Sequence, residues 1–264
     1  MPEVTVNGLR FHTQTLGDPS DPPVVMIHGM LTGNAASWYF GLAPVVARRH
    51  GVFLYDQRGH GRSQRPPTGY TLTDLASDLD GLTQSLRPAS VLGHSYGGVV
   101  ALRHALDHPD RVTSLVLVDT FVPGSTDDVD RQHHQVTSAA EVPDSGWGAV
   151  DPDGGARRRR PTAEQALLAS TTLLSDLRQD SVLDPAGLAA LQVPVLCAVG
   201  SDSPFRGDVE ALVDLLPVQQ RRVHVLTGGH ALHLDAPDDL ADLVTGFLDE
   251  VETSAERRRV ALDG

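Results

Sequence analysis

Short, uninterrupted aliphatic runs recur along the chain, and stretches with helical spacing of their apolar residues separate them. Such runs, about five residues long, are typical of strands in a parallel sheet that is covered on both faces. The predicted strands of this kind are 24–28, 52–56, 90–93, 115–119, 195–200 and 223–226. The predicted helices are 36–50, 73–86, the segment after residue 95, 162–177 and a closing segment that ends near residue 248. The pattern therefore indicates an α/β, doubly wound, mostly parallel sheet with helices on both faces.

The first residues have a different pattern of apolar and polar positions. Residues 3–16 alternate between apolar and polar, and Asn7 and Gly8 stand in the middle of this segment. An Asn-Gly pair between two alternating segments is typical of a tight β-hairpin turn. A solvated hairpin is therefore predicted ahead of the parallel strands.

One segment interrupts the alternation of strands and helices. Residues 121–160 are polar and rich in Gly, Pro and Asp, and an insertion here lies above the carboxyl edge of the sheet. The predicted organisation is a core of residues 1–120 and 189–250, a lid of residues 121–188 and a frayed tail of residues 251–264. The alternative for the lid is a surface loop without substrate contact. The arginine run 157–160 is interpreted as solvated, with a dock for an anionic substrate or a carrier protein as the alternative.

Composition removes several classes of function. The formal net charge is −13 at pH 7, which argues against a nucleic-acid partner. All 21 basic residues are arginine, so lysine Schiff bases and a phosphate-binding P-loop lysine are excluded.

No apolar run approaches the roughly 20 residues that cross a bilayer, and the N-terminus lacks a secretory pattern. The single cysteine, Cys197, lies in an apolar run and is expected to be a buried hydrophobe in a reducing cytoplasm.

The most informative motif surrounds Ser95. Residues 93–97 read Gly-His-Ser-Tyr-Gly between an aliphatic run and a helical segment. A sharp strand-to-helix turn of this form exposes a serine hydroxyl above a helix N-terminus, where negative charge can be stabilised. Ser95 is therefore the candidate nucleophile. The alternative is a glycine-rich connection with a bystander serine.

A serine nucleophile requires a base, and His230 is the best candidate among the 12 histidines. It follows the last predicted strand, and the carboxyl ends of parallel strands share one edge of a sheet. His233 is expected to pack or to cap, and His28 and His94 are expected to be structural. A zinc site at His230 and His233, or at residues 133–134, lacks a third ligand at recognisable spacing. No metal or cofactor is predicted.

Four segments together resemble the α/β-hydrolase family: 28–29, 56–63, 93–98 and 229–230. They occur in that family's order, and the similarity spans roughly residues 5–250. The resemblance implies a sheet of about eight strands and a triad of serine, acid and histidine. It also implies an oxyanion hole made by the backbone N–H groups of Met30 and Tyr96.

The acid is where this chain departs from the family's common pattern. Family members usually carry it as Gly-x-x-Asp after the strand that corresponds to residues 195–200. Here Ser203 stands at that place and Asp202 is one residue early. A shift of one residue in an extended segment reverses the direction of the side chain. Asp119, at the end of the preceding strand, is the other place where the family puts its acid, and it is favoured over Asp202.

These features predict a cytoplasmic serine hydrolase that cleaves a small carboxylic ester or thioester, as in a biosynthetic pathway. Epoxide hydrolases and haloalkane dehalogenases of this fold use aspartate as nucleophile, so Ser95 argues against their chemistry. Three alternatives remain. They are a cofactor-free haloperoxidase or perhydrolase, a carbon–carbon bond hydrolase and a catalytically silent binding protein. A homodimer or a carrier-protein partner cannot be read from the sequence.

Overall fold

The computed structural model describes residues 3–122, 162–180 and 182–263. Within these residues a single sheet contains eight strands in the order β1-β2-β4-β3-β5-β6-β7-β8. The strands are β1 (Glu3–Val6), β2 (Leu9–Leu16), β3 (Pro23–Ile27), β4 (Gly51–Tyr55), β5 (Ala89–His94), β6 (Val112–Val118), β7 (Val195–Gly200) and β8 (Arg221–Leu226). β1 and β2 pair antiparallel, as do β2 and β4, and every other pair is parallel. The predicted fold class is confirmed.

Helices lie on both faces of this sheet. They are α1 (Ala36–Tyr39), α2 (Leu42–Val46), α3 (Leu72–Thr83), α4 (Tyr96–Asp107), α5 (Ala163–Ser170), α6 (Leu173–Gln179), α7 (Pro185–Ala189), α8 (Arg206–Leu215), α9 (Leu232–Asp235) and α10 (Pro237–Asp263). A 3₁₀ turn (Pro109–Arg111) connects α4 to β6. In the described part of the chain, no helix combines the length and the apolar character that a membrane span requires.

Two apolar cores are separated by the sheet, because successive side chains of a strand point to opposite faces. In β3, Val25 and Ile27 pack into the layer that contains α3, α4 and α8. Val24 and Met26 pack into the layer that contains α1, α2 and α10. Strands with both faces covered in this way have few polar positions, which explains the continuous aliphatic runs of the sequence.

The N-terminal hairpin forms as predicted, with Asn7 (φ 51°) and Gly8 (φ 73°) between β1 and β2. The predicted helix 36–50 is instead two short helices, α1 and α2. Gly41, between them, has φ −123° and ψ −96°, outside the helical region. Apolar spacing did not reveal this break, because residues on both sides of it face the same core.

Residues 123–161 of the predicted lid, including the arginine run 157–160, lie outside the described residues. The remaining part forms α5, α6 and α7 and is tied to the loop ahead of α3. Asp176 accepts hydrogen bonds from the backbone N–H groups of Gly69 (3.2 Å) and Tyr70 (2.9 Å). The Thr172 N–H donates to the Pro67 carbonyl (2.9 Å), and Leu167 is buried in the core. This part of the insertion is therefore docked on the core.

The end of the chain differs from the sequence expectation. Residues 251–263, predicted as a frayed tail, continue the helix α10 to Asp263. The last strand, β8, lies at an edge of the sheet, and its Val223 and Val225 are exposed. It therefore lacks the double coverage of the central strands.

A buried ion pair holds the loop after β4 against α3. Arg58 Nε donates to Asp78 Oδ2 (2.5 Å) and Arg58 Nη2 donates to Asp78 Oδ1 (2.6 Å). Burial raises the pKa of Asp78, and the Arg58 guanidinium opposes that rise. Asn7 Nδ2 donates to the same carboxylate (3.0 Å), so the hairpin turn is tied to this pair as well.

The substitution Arg58→Met should lower the free energy of unfolding by about 3–5 kcal/mol, because it leaves the Asp78 carboxylate buried without its cation. Urea unfolding measures this loss. Arg49 pairs with Asp249 (2.7 Å) on the surface, so Arg49→Met should cost less than about 1 kcal/mol. Equal losses in the two variants would contradict the argument.

Candidate active site

Ser95 occupies the sharp turn between β5 and α4. Its backbone has φ 53° and ψ −127°, a region that residues with a Cβ rarely adopt. The flanking glycines make the turn possible, since a Cβ on Gly93 would lie 2.4 Å from the Gly97 carbonyl carbon. The Ser95 N–H donates to the Val118 carbonyl (3.0 Å), which holds the turn next to the end of β6. The serine is thus fixed at the carboxyl edge of the sheet.

Asp119 and His230 meet at the same edge. His230 Nδ1 donates to Asp119 Oδ2 over 2.7 Å. The other carboxylate oxygen, Oδ1, accepts from the Gly200 N–H (2.9 Å), and Ser203 Oγ donates to Oδ2 (2.5 Å). Asp119 is fully buried, whereas the His230 side chain is 19% exposed. The imidazole is therefore oriented from one side by a buried carboxylate.

The alternative acid, Asp202, has different surroundings. It is exposed, and its carboxylate accepts a hydrogen bond from the neighbouring Ser201 hydroxyl (3.0 Å). Ser203, at the place where the family usually carries its acid, points to Asp119 instead. Of the two candidates, it is Asp119 that the structure brings to the imidazole of His230.

Two backbone N–H groups were predicted to form an oxyanion hole. Tyr96 is the first residue of α4, so its N–H lies at the positive end of the helix dipole. Met30 lies in the loop after β3, and the next residue, Leu31, has φ 72°. Both positions are buried at the carboxyl edge of the sheet.

Two neutral histidines hold the loop that carries Met30. His60 Nε2 accepts from the Leu31 N–H (3.0 Å), and His28 Nε2 accepts from the Gln57 N–H (3.0 Å). In each ring Nδ1 donates to a carbonyl, that of Arg58 for His60 and that of Gly29 for His28. Burial lowers the pKa of His28 to about 4 and that of His60 to about 3. A protonated ring could not accept the backbone N–H, so this geometry requires neutral imidazoles.

A carboxylate at the end of β4 completes the support of this loop. Asp56 Oδ1 accepts from the Ala35 N–H (2.7 Å), and Oδ2 accepts from the Arg62 N–H (2.8 Å). His12 Nδ1 donates to the same Oδ2 (3.0 Å). The Asp-Gln-Arg-Gly-His-Gly-Arg-Ser segment of residues 56–63 is therefore a brace for the loop after β3.

His94, directly before Ser95, positions the loop of His230. Its Nε2 donates to the His230 backbone carbonyl (2.8 Å), and the two ring centroids are 4.7 Å apart. Burial, followed by the neighbouring histidines, lowers the pKa of His94 well below its usual value. His233 packs on His94 with centroids 4.9 Å apart. The structure thus gives both histidines the packing roles expected from the sequence.

Two aromatic rings border His230 and were not singled out in the sequence. Phe205 meets the imidazole edge to face at 4.7 Å, and Phe121 stacks on Phe205 at 4.3 Å. Neither phenylalanine lies in a recognisable motif. The sequence signal that could have identified them is their position, just after β6 and just after β7. They make an apolar wall beside the imidazole.

Comparisons with known proteins agree with this architecture. The alpha/beta hydrolase fold family model matches residues 22–144. A protein named carbamate hydrolase RutD from Variovorax paradoxus is 39% identical over 116 residues, 43% of each chain. The sn-1-specific diacylglycerol lipase ABHD11 of Mus musculus is 26% identical and is matched over 88% of this chain and 82% of its own. A thermophilic esterase from Thermogutta terrifontis superposes with a TM-score of 0.74 at 22% identity, covering 95% of this chain and 99% of that chain.

The chain has the α/β-hydrolase fold, and its residues 22–144 match the model of that family. The match to RutD spans less than half of either protein, and the likeness to the esterase concerns the fold. Within this family fold, the site described here differs from the common pattern by the serine at position 203. That serine is a third hydrogen-bond donor to the carboxylate of Asp119.

The buried neutral histidines predict that this fold is sensitive to acid. His28 and His60 stay neutral in the native state down to pH values near 4 and 3, whereas unfolded histidine takes up a proton near pH 6.5. Between these limits the unfolded state binds more protons, so stability falls as the pH falls. Each histidine contributes at most about 1.4 kcal/mol per pH unit to this loss.

Urea unfolding at pH 7 and pH 5 tests the effect. The variant His60→Gln should be less stable at pH 7 but should lose less stability than the wild type between the two pH values. His224 is exposed on β8, so His224→Gln should keep the wild-type pH dependence. An unchanged dependence in His60→Gln would show that the ring is not held neutral.

Proposed function

We propose that this protein is a serine hydrolase that cleaves a small carboxylic ester or thioester through an acyl-enzyme intermediate. The observation that carries the proposal is the hydrogen bond of 2.7 Å between the buried Asp119 and His230, beside the strained turn of Ser95. A buried carboxylate that fixes Nδ1–H leaves Nε2 as the basic atom of the ring, which is what activation of a serine requires.

In this mechanism Ser95 Oγ attacks the substrate carbonyl carbon while His230 Nε2 takes the hydroxyl proton. The negative charge on the carbonyl oxygen is stabilised by the N–H groups of Met30 and Tyr96, and such donors contribute roughly 2.7–4 kcal/mol each. His230 then gives its proton to the leaving alcohol or thiol. A water molecule, deprotonated by His230, attacks the acyl carbon, releases the carboxylic acid and restores the serine.

The names of the compared proteins support hydrolysis as the reaction class. They include a carbamate hydrolase, a diacylglycerol lipase and an esterase. We propose a small apolar acyl group, because Phe121 and Phe205 border His230. Selection among esters and thioesters is assigned to segment 121–188, which lies between β6 and β7. A substrate panel that contains peracid-forming, carbon–carbon cleaving and carrier-bound thioester reactions separates the alternatives.

Labelling with a fluorophosphonate, read by intact mass, tests the function directly. The wild type should gain one adduct, because an activated serine attacks phosphorus as it attacks a carbonyl carbon. Ser95→Ala should gain none, and Ser201→Ala, which removes a hydroxyl elsewhere, should label like the wild type. A folded wild-type protein without an adduct would overturn the proposal and favour a binding protein.

The same reagent identifies the acid. Asp119→Asn should slow labelling at least about 100-fold, because an amide cannot stabilise the imidazolium and favours the wrong tautomer. Asp202→Asn is the matched control and should label at the wild-type rate, since Asp202 contacts Ser201 rather than His230. The reverse result would assign the acid to Asp202.

A further inference from the structure

Three potential metal ligands meet far from Ser95, where α3 and α4 lie side by side. Asp80 belongs to α3, His104 to the last turn of α4, and His108 is the residue that ends α4. His104 and His108 follow Ser95 by 9 and 13 residues along α4, so at about 1.5 Å per residue they are roughly 14 to 20 Å from the Ser95 turn. The cluster plays no part in the chemistry proposed above.

The three side chains are already close enough to share one ion. One ligand atom of each lies within 4.8 Å of the ligand atoms of the other two. His108 Nε2 is 3.8 Å from Asp80 Oδ1, and the two imidazole centroids are 5.2 Å apart. Histidines four residues apart lie on the same face of a helix, which is the spacing that lets two imidazoles bind one metal.

The imidazole of His104 is suited to bind a metal ion. It is 2% exposed, and its Nδ1 has no hydrogen-bond partner within the described residues. An imidazole nitrogen without a hydrogen-bond partner can offer its lone pair to a metal ion.

The other two ligands can adjust. The side chains of His108 and Asp80 are 41% and 37% exposed, so their rotamers can bring the ligand atoms nearer to the buried ring. Tetrahedral bonds of about 2.0–2.1 Å require ligand atoms about 3.3 Å apart. Arg111, a neighbouring cation, donates to the carbonyls of Thr83 (2.6 Å) and Gln84 (3.4 Å), which holds its guanidinium on the end of α3.

We propose that Asp80, His104 and His108 bind one zinc ion, with water at the fourth position. Two imidazoles and a carboxylate suit Zn²⁺, whereas Mg²⁺ and Ca²⁺ prefer oxygen ligands alone. The ion would join α3 to the end of α4 and so stabilise the folded state. This inference is independent of the proposed hydrolase activity.

Zinc titration of the full chain after removal of bound metal tests the site, with calorimetry for stoichiometry and thermal unfolding for Tm. The wild type should bind zinc and gain several degrees in Tm, because an ion that binds only the folded state stabilises it. His108→Ala should lose one equivalent of zinc and the gain in Tm. Asp80→Asn should bind at least about tenfold more weakly.

The controls separate this site from other histidines. His224→Ala removes an exposed histidine on β8 and should bind zinc like the wild type, and Mg²⁺ should not raise Tm. Both ligand variants change side chains that are only partly buried, and equal Tm values without zinc establish that they fold. The proposal is overturned if the wild type binds no zinc below about 1 mM, or if His108→Ala keeps the full stoichiometry and affinity.

Discussion

A carboxylate without access to water requires a hydrogen-bond donor for each of its oxygens, and at Asp119 this requirement organises one end of the molecule. Its donors come from the end of β7 (Gly200), from the loop that follows (Ser203) and from the loop after β8 (His230). Burying an ionised group without such partners is very costly. The hydrogen bonds that stabilise the buried charge therefore also hold the loop after β7 next to the loop after β8, which carries the imidazole. Because β6 lies beside β5 in the sheet, the gathering point is next to Ser95.

Neutral histidines also hold the loop after β3 at this edge. This loop lies outside the hydrogen-bond ladder of the sheet. An imidazole with a proton on Nδ1 donates to one backbone group and accepts from another, and His28 and His60 both do so. Burial keeps them in this form, since desolvation disfavours the charged ring. Asp56 adds acceptors for the N–H groups of Ala35 and Arg62. Side chains of the loop after β4 thus help to hold the loop that carries Met30.

Much of this arrangement could be predicted from local sequence. The central strands, the hairpin and the glycine-flanked turn of Ser95 are determined by nearby residues, so their patterns were sufficient. The break at Gly41 was missed because apolar spacing continues across it. The sequence favoured Asp119 over Asp202 but left both open, because the choice depends on where a loop more than 80 residues away places Ser203 and Gly200. The cluster of Asp80, His104 and His108 was missed for a related reason, since only the packing of α3 on α4 brings Asp80 to the two histidines.

Backbone strain is concentrated at the same edge of the sheet. Among the described residues, four that are not glycine have positive φ: Asn7 in the hairpin, and Leu31, Ser95 and Asp119 after the ends of β3, β5 and β6. Such conformations cost of order 1–3 kcal/mol each and persist only where the surroundings enforce them. Here the N–H group of each of the three is bonded, to His60, Val118 and Ala198 respectively. Together these bonds fix the backbone of Leu31, Ser95 and Asp119 at the carboxyl edge of the sheet, which supports the acyl transfer proposed for this site.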